Sequence, residues 1–197
     1  MSRVSIAGGQ LRDVRRAPLC VRALVYPKKG QPAEYLTSEV SVAAVRLCGC
    51  AQAHVESEVQ VWLFFSQNTV VQVIGKIVER FEAARRPEFE IRLDSVSPTN
   101  LMAIRQRTDA ALLGKLNPSV LLLEAARDSG EACSWLGSLR SQCRVVRRPA
   151  NIADVLAKHS IETAVVTDDR NETLEPYVAA YPQVSWRSID ANGRLRA

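Results

Sequence analysis

The sequence predicts an α+β protein of two units: an N-terminal antiparallel β-barrel closed by a helix, and a shortened C-terminal α/β unit with a parallel sheet. Two observations support this prediction. Short strand-like segments separated by turn residues fill most of residues 17–116, and a helical segment ends them. Strand and helix patterns then alternate in residues 117–197, the order expected of a parallel sheet with right-handed crossovers. Residues 1–16 form a basic tail before both units.

Alternating hydrophobic residues and turn signals define the strands of the first unit. The predicted strands cover residues 19–26, 33–40, 42–47, 58–66, 70–81 and 88–93. One face of the fourth strand is entirely apolar and consists of Val59, Val61, Leu63 and Phe65. Gly75 in the fifth strand indicates a bulge or bend, because glycine weakens a regular strand. Arg86 and Pro87 are expected to break the chain before the last strand.

The helix of the first unit has a clear start and a clear end. Ser97 is a predicted N-cap and Pro98 a predicted first helical residue. The helix is expected to run to about residue 113, where Gly114 can end it. Its predicted apolar stripe consists of Leu101, Ile104 and Ala111. Residues 115–118 are the predicted boundary between the units.

The second unit is predicted to form a β-α-β-α-β-α-β series. Its predicted strands cover residues 120–123, 143–146, 163–166 and 184–189. Its predicted helices cover residues 130–140, 151–159 and 172–181, with Asn151 as a cap. The first strand is wholly apolar, as expected where both faces of a parallel sheet are buried.

Composition bounds the class of protein. The 197 residues are 47% hydrophobic and 24% charged, as in ordinary globular proteins. No apolar run approaches the roughly 18 residues of a membrane span. Residues 1–9 have no apolar core long enough for a signal peptide. We therefore expect a cytoplasmic protein with no membrane span.

The net charge of +5 lies in the first half of the chain, and much of it is in the basic tail. Residues 1–116 contain 16 Lys and Arg against 11 Asp and Glu, whereas residues 117–197 contain 10 of each. The excess suits an anionic partner, or it is a solvated basic tail. It is too small and too localised for the broad basic face of a DNA-binding protein, so no DNA partner is predicted.

The cysteines predict core residues and no metal site. They are five in number, which leaves one unpaired in any disulfide framework. Cys48 and Cys50 form a C-x-C pair without the second pair that a zinc shell needs. Small core residues are the ordinary role of such cysteines. The sequence also lacks a nucleophile–histidine–acid set and a phosphate-binding loop, so no enzyme and no cofactor are predicted.

Two motifs in the first unit carry a family resemblance. RRAPL at residues 15–19 precedes the first strand, and EVSVAA at residues 39–44 joins the next two. With VIGKIV at residues 73–78 and FEIRL at residues 89–93, they make residues 12–107 resemble the PilZ domain. That family is a small β-barrel with a closing helix, and many members are receptors for cyclic di-GMP. Its pattern has R-x-x-x-R before the first strand and D/N-x-S-x-x-G on the next strands.

The resemblance implies a cyclic di-GMP site. Its candidate residues here are Arg12, Arg15, Arg16, Glu39, Ser41 and Ala44. Arginine forks suit phosphates because they donate two parallel, charge-assisted hydrogen bonds. The structural alternatives are a solvated basic tail for the arginines and a plain strand bend for Ser41.

The chain departs from the family pattern in three ways. A literal R-x-x-x-R exists at Arg12 and Arg16, but in the register set by Pro18 the second arginine position holds Leu19. Glu39 replaces Asp or Asn, and Ala44 replaces Gly. An alanine forced to positive φ costs about 1 kcal/mol and a lost phosphate clamp about 1.5–3 kcal/mol. At 1.4 kcal/mol per decade, affinity falls by about 10²–10³-fold.

These departures leave two functions open. The first is a non-enzymatic bacterial signalling adaptor with a degenerate site, which acts by contact with protein partners in motility, pilus function or cell polarity. The second is a genuine cyclic di-GMP receptor whose basic tail closes on the ligand.

Residues 119–190 resemble a shortened receiver domain of two-component signalling. VLLLE at residues 120–124 and AVVTD at residues 164–168 are similar to the strands that end in its acidic residues. The resemblance implies Asp168 as phosphoacceptor, assisted by Glu124 and Ser188, and therefore a third alternative, a phospho-relay. However, Ala125 follows Glu124, and neither a fifth strand nor its lysine is found.

A shortened receiver fold can also be interpreted as a structural unit without phosphorylation. Asp168 is then a loop or cap residue. The fold itself serves docking or dimerisation, with a partner strand on the missing edge, which makes a homodimer possible.

Overall fold

The computed structural model describes residues 4–5, 15–51, 54–66, 68–83, 86–123, 139, 142–146, 148–167, 174–190 and 192–197. Thirteen strands among these residues belong to one hydrogen-bonded sheet system. No helix in the described part of the chain is both long and apolar enough to cross a membrane.

The first unit contains eight strands and one helix. They are β1 (Val4–Ser5), β2 (Ala17–Pro18), β3 (Arg22–Pro27), β4 (Ala33–Val40), β5 (Ala44–Cys48), β6 (Glu58–Ser66), β7 (Thr69–Ala83), β8 (Arg86–Val96) and α1 (Pro98–Leu112). The predicted bounds of β4 and β6 agree with the structure residue for residue. β7 and β8 are longer than predicted and pair as far as Ala83 and Arg86, so Arg86 and Pro87 belong to β8.

Six of these strands close a ring. The order β3-β4-β5-β8-β7-β6 returns to β3, and every neighbouring pair is antiparallel. The predicted β-barrel is therefore confirmed. β2 lies beside the end of β4. β1 pairs with the end of β8, so the predicted N-terminal tail contributes one short strand. The predicted bulge is present, since the pairing of β7 with β8 shifts between Ile74 and Gly75.

Strand alternation fills the barrel interior. The four residues predicted to share a face of β6 are all buried in the barrel core. Trp62 lies on the outer face of the barrel, because it alternates with those four residues. α1 closes the barrel with Ile104, which is fully buried, and Leu101 and Ala111 pack against the same core.

Both predicted ends of α1 are confirmed. Ser97 is the N-cap, and its hydroxyl accepts a hydrogen bond of 3.2 Å from the backbone N–H of Asn100. Gly114 follows the C-cap with φ +64°. Its N–H and that of Lys115 donate to the carbonyls of Ala111 and Ala110, which is the pattern of a Schellman motif.

The second unit contains a parallel sheet. Its elements are β9 (Val120–Leu123), β10 (Arg144–Val146), α2 (Ile152–Lys158), β11 (Thr163–Val166), α3 (Glu175–Ala180), β12 (Ser185–Ile189) and β13 (Leu195–Arg196). β9 and β11 have the predicted bounds, whereas β10, α2, α3 and β12 are shorter than predicted and β13 was not predicted. Asn151 precedes α2 without a side-chain capping bond, and a 3₁₀ turn formed by Pro149–Asn151 leads into this helix. The predicted helix over residues 130–140 lies outside the described residues except for Leu139.

The parallel strands follow the order β10-β9-β11-β12. Counted along the chain this is 2-1-3-4, the beginning of the flavodoxin-like order. The edge beside β12 is not open, contrary to the expectation that a partner strand covers it. β13 pairs with β12 there, and its Leu195 lies opposite Glu34 of the barrel strand β4.

The barrel and the parallel sheet share a hydrophobic core. Cys20, Leu36 and Cys48 of the barrel pack in one cluster with residues of the second unit. Those residues include Val120, Leu122, Leu139, Cys143, Val165 and Leu195. Gly49 and Gly193 cross at this junction, and the Cys50 N–H donates to the Asn192 carbonyl at 2.8 Å. Residues 115–118, the predicted boundary, connect α1 to β9.

Candidate ligand site

Four charged side chains meet on the outer surface of the barrel. Arg16 precedes β2, Glu39 lies on β4, Arg46 on β5 and Glu90 on β8. Strand pairing brings them together, because Arg46 is opposite both Glu39 and Glu90. We call these four residues the outer cluster.

Arg16 is held by a carboxylate of its own chain. Its Nη1 and Nη2 donate to Glu90 Oε2 and Oε1 at 2.5 and 3.0 Å, a bidentate pair. The Arg16 side chain is 41% exposed, whereas that of Glu90 is 11% exposed. The hydrogen bonds to Glu90 raise the pKa of Arg16, and the negative charges of Glu90 and Glu39 add to this effect.

Arg46 completes the outer cluster. Its guanidinium is 3.0 Å from Glu39 and 3.4 Å from Glu90. Arg16 is also within ion-pair distance of Glu39, at 3.7 Å. Two cations and two anions make the outer cluster neutral.

Ser41 forms a strand bend. It is buried, and its hydroxyl accepts hydrogen bonds from the N–H groups of Ala43 and Ala44 at 3.3 and 2.9 Å. The same hydroxyl donates to the Ala44 carbonyl at 3.0 Å. The turn between β4 and β5 therefore uses both the donor and the acceptor capacity of this hydroxyl.

Two departures from the family pattern have a structural explanation. Ala44 is the first residue of β5 and does not have a positive φ, so the strain expected for alanine at this position does not arise. Leu19, at the second arginine position of the motif, is buried in the barrel core. A residue at this position with the backbone of Leu19 faces the core rather than a ligand on the outer surface.

The other candidate residues are less fully placed. Arg15 is exposed beside Arg16. Ser188 lies on β12 opposite Val166, the last residue of β11. Arg12, Glu124 and Asp168 lie outside the described residues.

Sequence reasoning missed Arg46 and Glu90. Both occupy outward positions between buried neighbours, Arg46 between Val45 and Leu47 and Glu90 next to Phe89. The alternation signals which face they occupy. It does not signal that β5 and β8 are neighbours in the barrel, so the ion pairs could not be inferred.

Three of the cysteines have the predicted role in the core, whereas Cys50 is exposed and Cys133 lies outside the described residues. Cys20, Cys48 and Cys143 all lie in the cluster between the barrel and the parallel sheet. A hydrogen bond with Cys143 and burial raise the pKa of the Cys20 thiol, and burial raises that of Cys48, so both remain protonated. Among the described residues, no group of three or more His, Cys, Asp or Glu is arranged to hold a metal ion.

A cleft of about 600 Å³ lies at the junction, and no residue of the outer cluster lines it. Residues 18–21, the C-terminal part of α1 and residues 115–119 line one side of it. Gln142, Ser160 and Glu162 of the second unit line the other. Arg107 and Lys115 are the basic residues among its lining.

Comparison with known sequences finds no match. No protein-family profile and no curated protein matches this chain.

Solved structures do match. The inhibitor of motility MotI/DgrA of Bacillus subtilis is 10% identical with a TM-score of 0.48, and the match covers 55% of this chain and 54% of that one. The PilZ domain of YcgR from Escherichia coli with c-di-GMP is 11% identical with a TM-score of 0.43, over 53% of this chain and 94% of that one. A longer YcgR structure in complex with c-di-GMP is 14% identical with a TM-score of 0.47, and only 47% of that chain is covered.

These matches concern one part of the molecule. This chain spans about half the length of the Bacillus protein. The matches lend no support to the receiver-like interpretation of the second unit, which stays a prediction. The matched YcgR domain from Escherichia coli is a PilZ domain, and its match covers about half of this chain.

Proposed function

We propose that the protein is a non-enzymatic signalling adaptor of the PilZ type with a degenerate cyclic di-GMP site. The pathway class, motility, pilus function or cell polarity in a bacterium, comes from the sequence resemblance to that family. The observation that carries the proposal is the neutrality of the outer cluster. The arginine that the motif offers to a phosphate is already bound to Glu90 of the same chain.

A phosphate ligand would meet two obstacles at this site. It must displace Glu90 from Arg16, and charge-assisted bidentate pairs are among the stronger hydrogen bonds of proteins. It must also approach the carboxylates of Glu39 and Glu90, whose negative charges oppose it. The hydroxyl of Ser41 is used by its own turn and offers no compensating donor.

The outer face of β3, β6 and β7 supports action by protein contact. Tyr26 and Val70 are among the exposed large hydrophobic residues of the described chain. The rings of Tyr26 and Trp62 are 5.8 Å apart, and strand pairing sets Leu24 beside Trp62 and Phe64 beside Val70. Aromatic residues are enriched in protein interfaces because they combine a large apolar area with a polar tip.

Calorimetric titration with cyclic di-GMP at near-physiological salt tests the proposal. We expect no heat of binding up to several hundred micromolar ligand while circular dichroism shows a folded protein. Arg15→Ala/Arg16→Ala is titrated in parallel, with Arg105→Ala, which removes an exposed arginine of α1, as the matched control.

Micromolar binding that the double variant loses and the control keeps would contradict the adaptor proposal. It would establish the receptor alternative instead. The phospho-relay remains a separate prediction, and labelling with an acyl phosphate against an Asp168→Ala control addresses it.

A further inference from the structure

We propose that Glu90 is an internal anion that keeps the outer cluster closed, and that neutralising it converts the cluster into a binding site for the phosphates of a cyclic dinucleotide. The inference rests on the proposed function, because it assumes that the parent protein does not bind this ligand. It names Glu90 as the residue that prevents the ligand from binding.

The geometry of Arg16 is that of an anion clamp already in use. A guanidinium with two parallel hydrogen bonds matches a carboxylate or a phosphate and little else. Both bonds go to Glu90, at 2.5 and 3.0 Å. The carboxylate therefore occupies the position that a phosphate oxygen pair would take.

Arg16 and Glu90 differ in how much of each side chain is exposed to solvent. Glu90 is nearly covered, whereas Arg16 lies above it with 41% of its side chain exposed. Arg16 can therefore be reached from solvent while Glu90 holds it from below. Without the Glu90 charge, the guanidinium remains at the surface and is free to accept an anion from solution.

Neutralising Glu90 also changes the local charge. Within the outer cluster, Glu39 would then be the remaining carboxylate beside Arg16 and Arg46, which leaves the cluster one net positive charge. Arg15 is exposed beside them and adds a second. A cyclic dinucleotide carries two phosphates, so this balance favours it.

Glu39 offers a matched control. It belongs to the same cluster and carries the same charge, but its closest partner is Arg46 at 3.0 Å. Its distance to Arg16 is 3.7 Å, and it makes no bidentate pair with that residue. Glu39→Gln therefore changes the net charge as Glu90→Gln does, yet leaves Arg16 bound to Glu90.

The experiment compares Glu90→Gln, Glu39→Gln and the parent protein by calorimetric titration with cyclic di-GMP. Glutamine keeps the shape of the side chain and removes its charge. We expect the dissociation constant of Glu90→Gln for cyclic di-GMP to be at least tenfold lower than the highest ligand concentration at which the parent protein shows no binding. We expect Glu39→Gln to behave like the parent, and Glu90→Gln/Arg16→Ala to lose the acquired binding.

The outcomes separate this inference from the proposed function. A folded Glu90→Gln that binds no better than the parent overturns the inference alone, as does equal binding by Glu39→Gln. Micromolar binding by the parent overturns the proposed function and shows that Glu90 does not close the site.

A second variant covers loss of folding. If Glu90→Gln fails to fold, Glu90→Thr, a neutral residue that suits a strand, is titrated in its place. If both fail to fold, Glu90 is a structural ion-pair partner and the inference is wrong.

Discussion

Two arginine–glutamate networks in this protein use the same chemistry for different ends. The outer cluster lies entirely on the barrel, and its two positive and two negative charges cancel. A second network joins the barrel to the parallel sheet: Glu34 of β4 binds Arg22 of β3 at 3.0 Å and Arg187 of β12 at 2.8 Å. We call these three residues the junction network.

The two networks differ in the exposure of their arginines and in the ratio of arginines to carboxylates. The side chains of the junction network are 17% to 20% exposed, and a single carboxylate serves two arginines. Burial lowers the pKa of Arg22 although Glu34 opposes this effect, and its guanidinium also lies 3.9 Å from the centre of the Phe64 ring. The comparison teaches that a neutral cluster at the surface leaves an arginine within reach of solvent, whereas a covered carboxylate shared by two arginines links two units.

The largest effect should come from the backbone crossing at the same junction. A Cβ on Gly193 would lie 2.5 Å from the Gly49 Cα, and the residue has φ +76°. We expect Gly193→Ala to lower the free energy of unfolding by about 3 kcal/mol, since it combines overpacking with left-handed strain. Urea denaturation measures this loss.

Gly114→Ala is the matched control for that prediction. Gly114 has φ +64°, but nothing lies within 4 Å of an added Cβ. Its expected loss is about 1 kcal/mol, from backbone strain alone. Equal losses of unfolding free energy for both variants would show that the junction accommodates the added Cβ without overpacking. The close crossing would then not hold the two units together.

The next effect compares the two networks directly. Glu34→Gln leaves Arg22 and Arg187 without their shared carboxylate, and we expect a loss of about 2 kcal/mol, in the range of charged hydrogen bonds. Glu39→Gln removes a carboxylate that is 35% exposed, so its expected loss is below about 1 kcal/mol. Urea denaturation of both variants tests the order, and a larger loss for Glu39→Gln would reverse the comparison.

The smallest effect concerns the loop that leads into β13. Burial raises the pKa of Asp190, but hydrogen bonds from the backbone of Arg194 and Asn192 and from the Arg196 side chain outweigh it, so its pKa lies below the ordinary value of 3.8. The stability from Asp190 is therefore complete above that value and is lost as the pH falls through the lower folded pKa.

Asp190→Asn tests this contribution. We expect a loss below about 1 kcal/mol at neutral pH and a shallower decline of stability in acid than in the parent. Urea midpoints across the acid range provide the measurement. If the stability of the variant falls with decreasing pH as steeply as that of the parent, protonation of Asp190 does not contribute to acid unfolding.

Much of the fold was predictable from local patterns. The alternation of Val59, Val61, Leu63 and Phe65 indicated both the strand and its inward face. Ser97, Pro98 and Gly114 marked the helix ends, because capping depends on neighbours within a few residues. The prediction of an open sheet edge beside β12 was wrong, since the short β13 has no extended alternation to signal it and gains its partners only from β12 and β4.

The candidate site was predictable only in part. The motifs directed attention to Arg16, Glu39 and Ser41, and two of these belong to the outer cluster. Glu90 is 74 residues from Arg16 along the chain, and no local pattern links them. What the motif left open was therefore whether another residue would neutralise the arginine.

The sequence by itself determined the inward and outward faces of β6, both ends of α1 and the supply of charges, because side-chain periodicity and capping act over a few residues. Only the tertiary structure decided which charges meet. Barrel closure sets β5 between β4 and β8, which brings Glu39, Arg46 and Glu90 to one place. The pairing of β13 with β4 joins the second sheet to the barrel, because the unpaired backbone groups of a strand edge can pair with a segment that is distant in sequence.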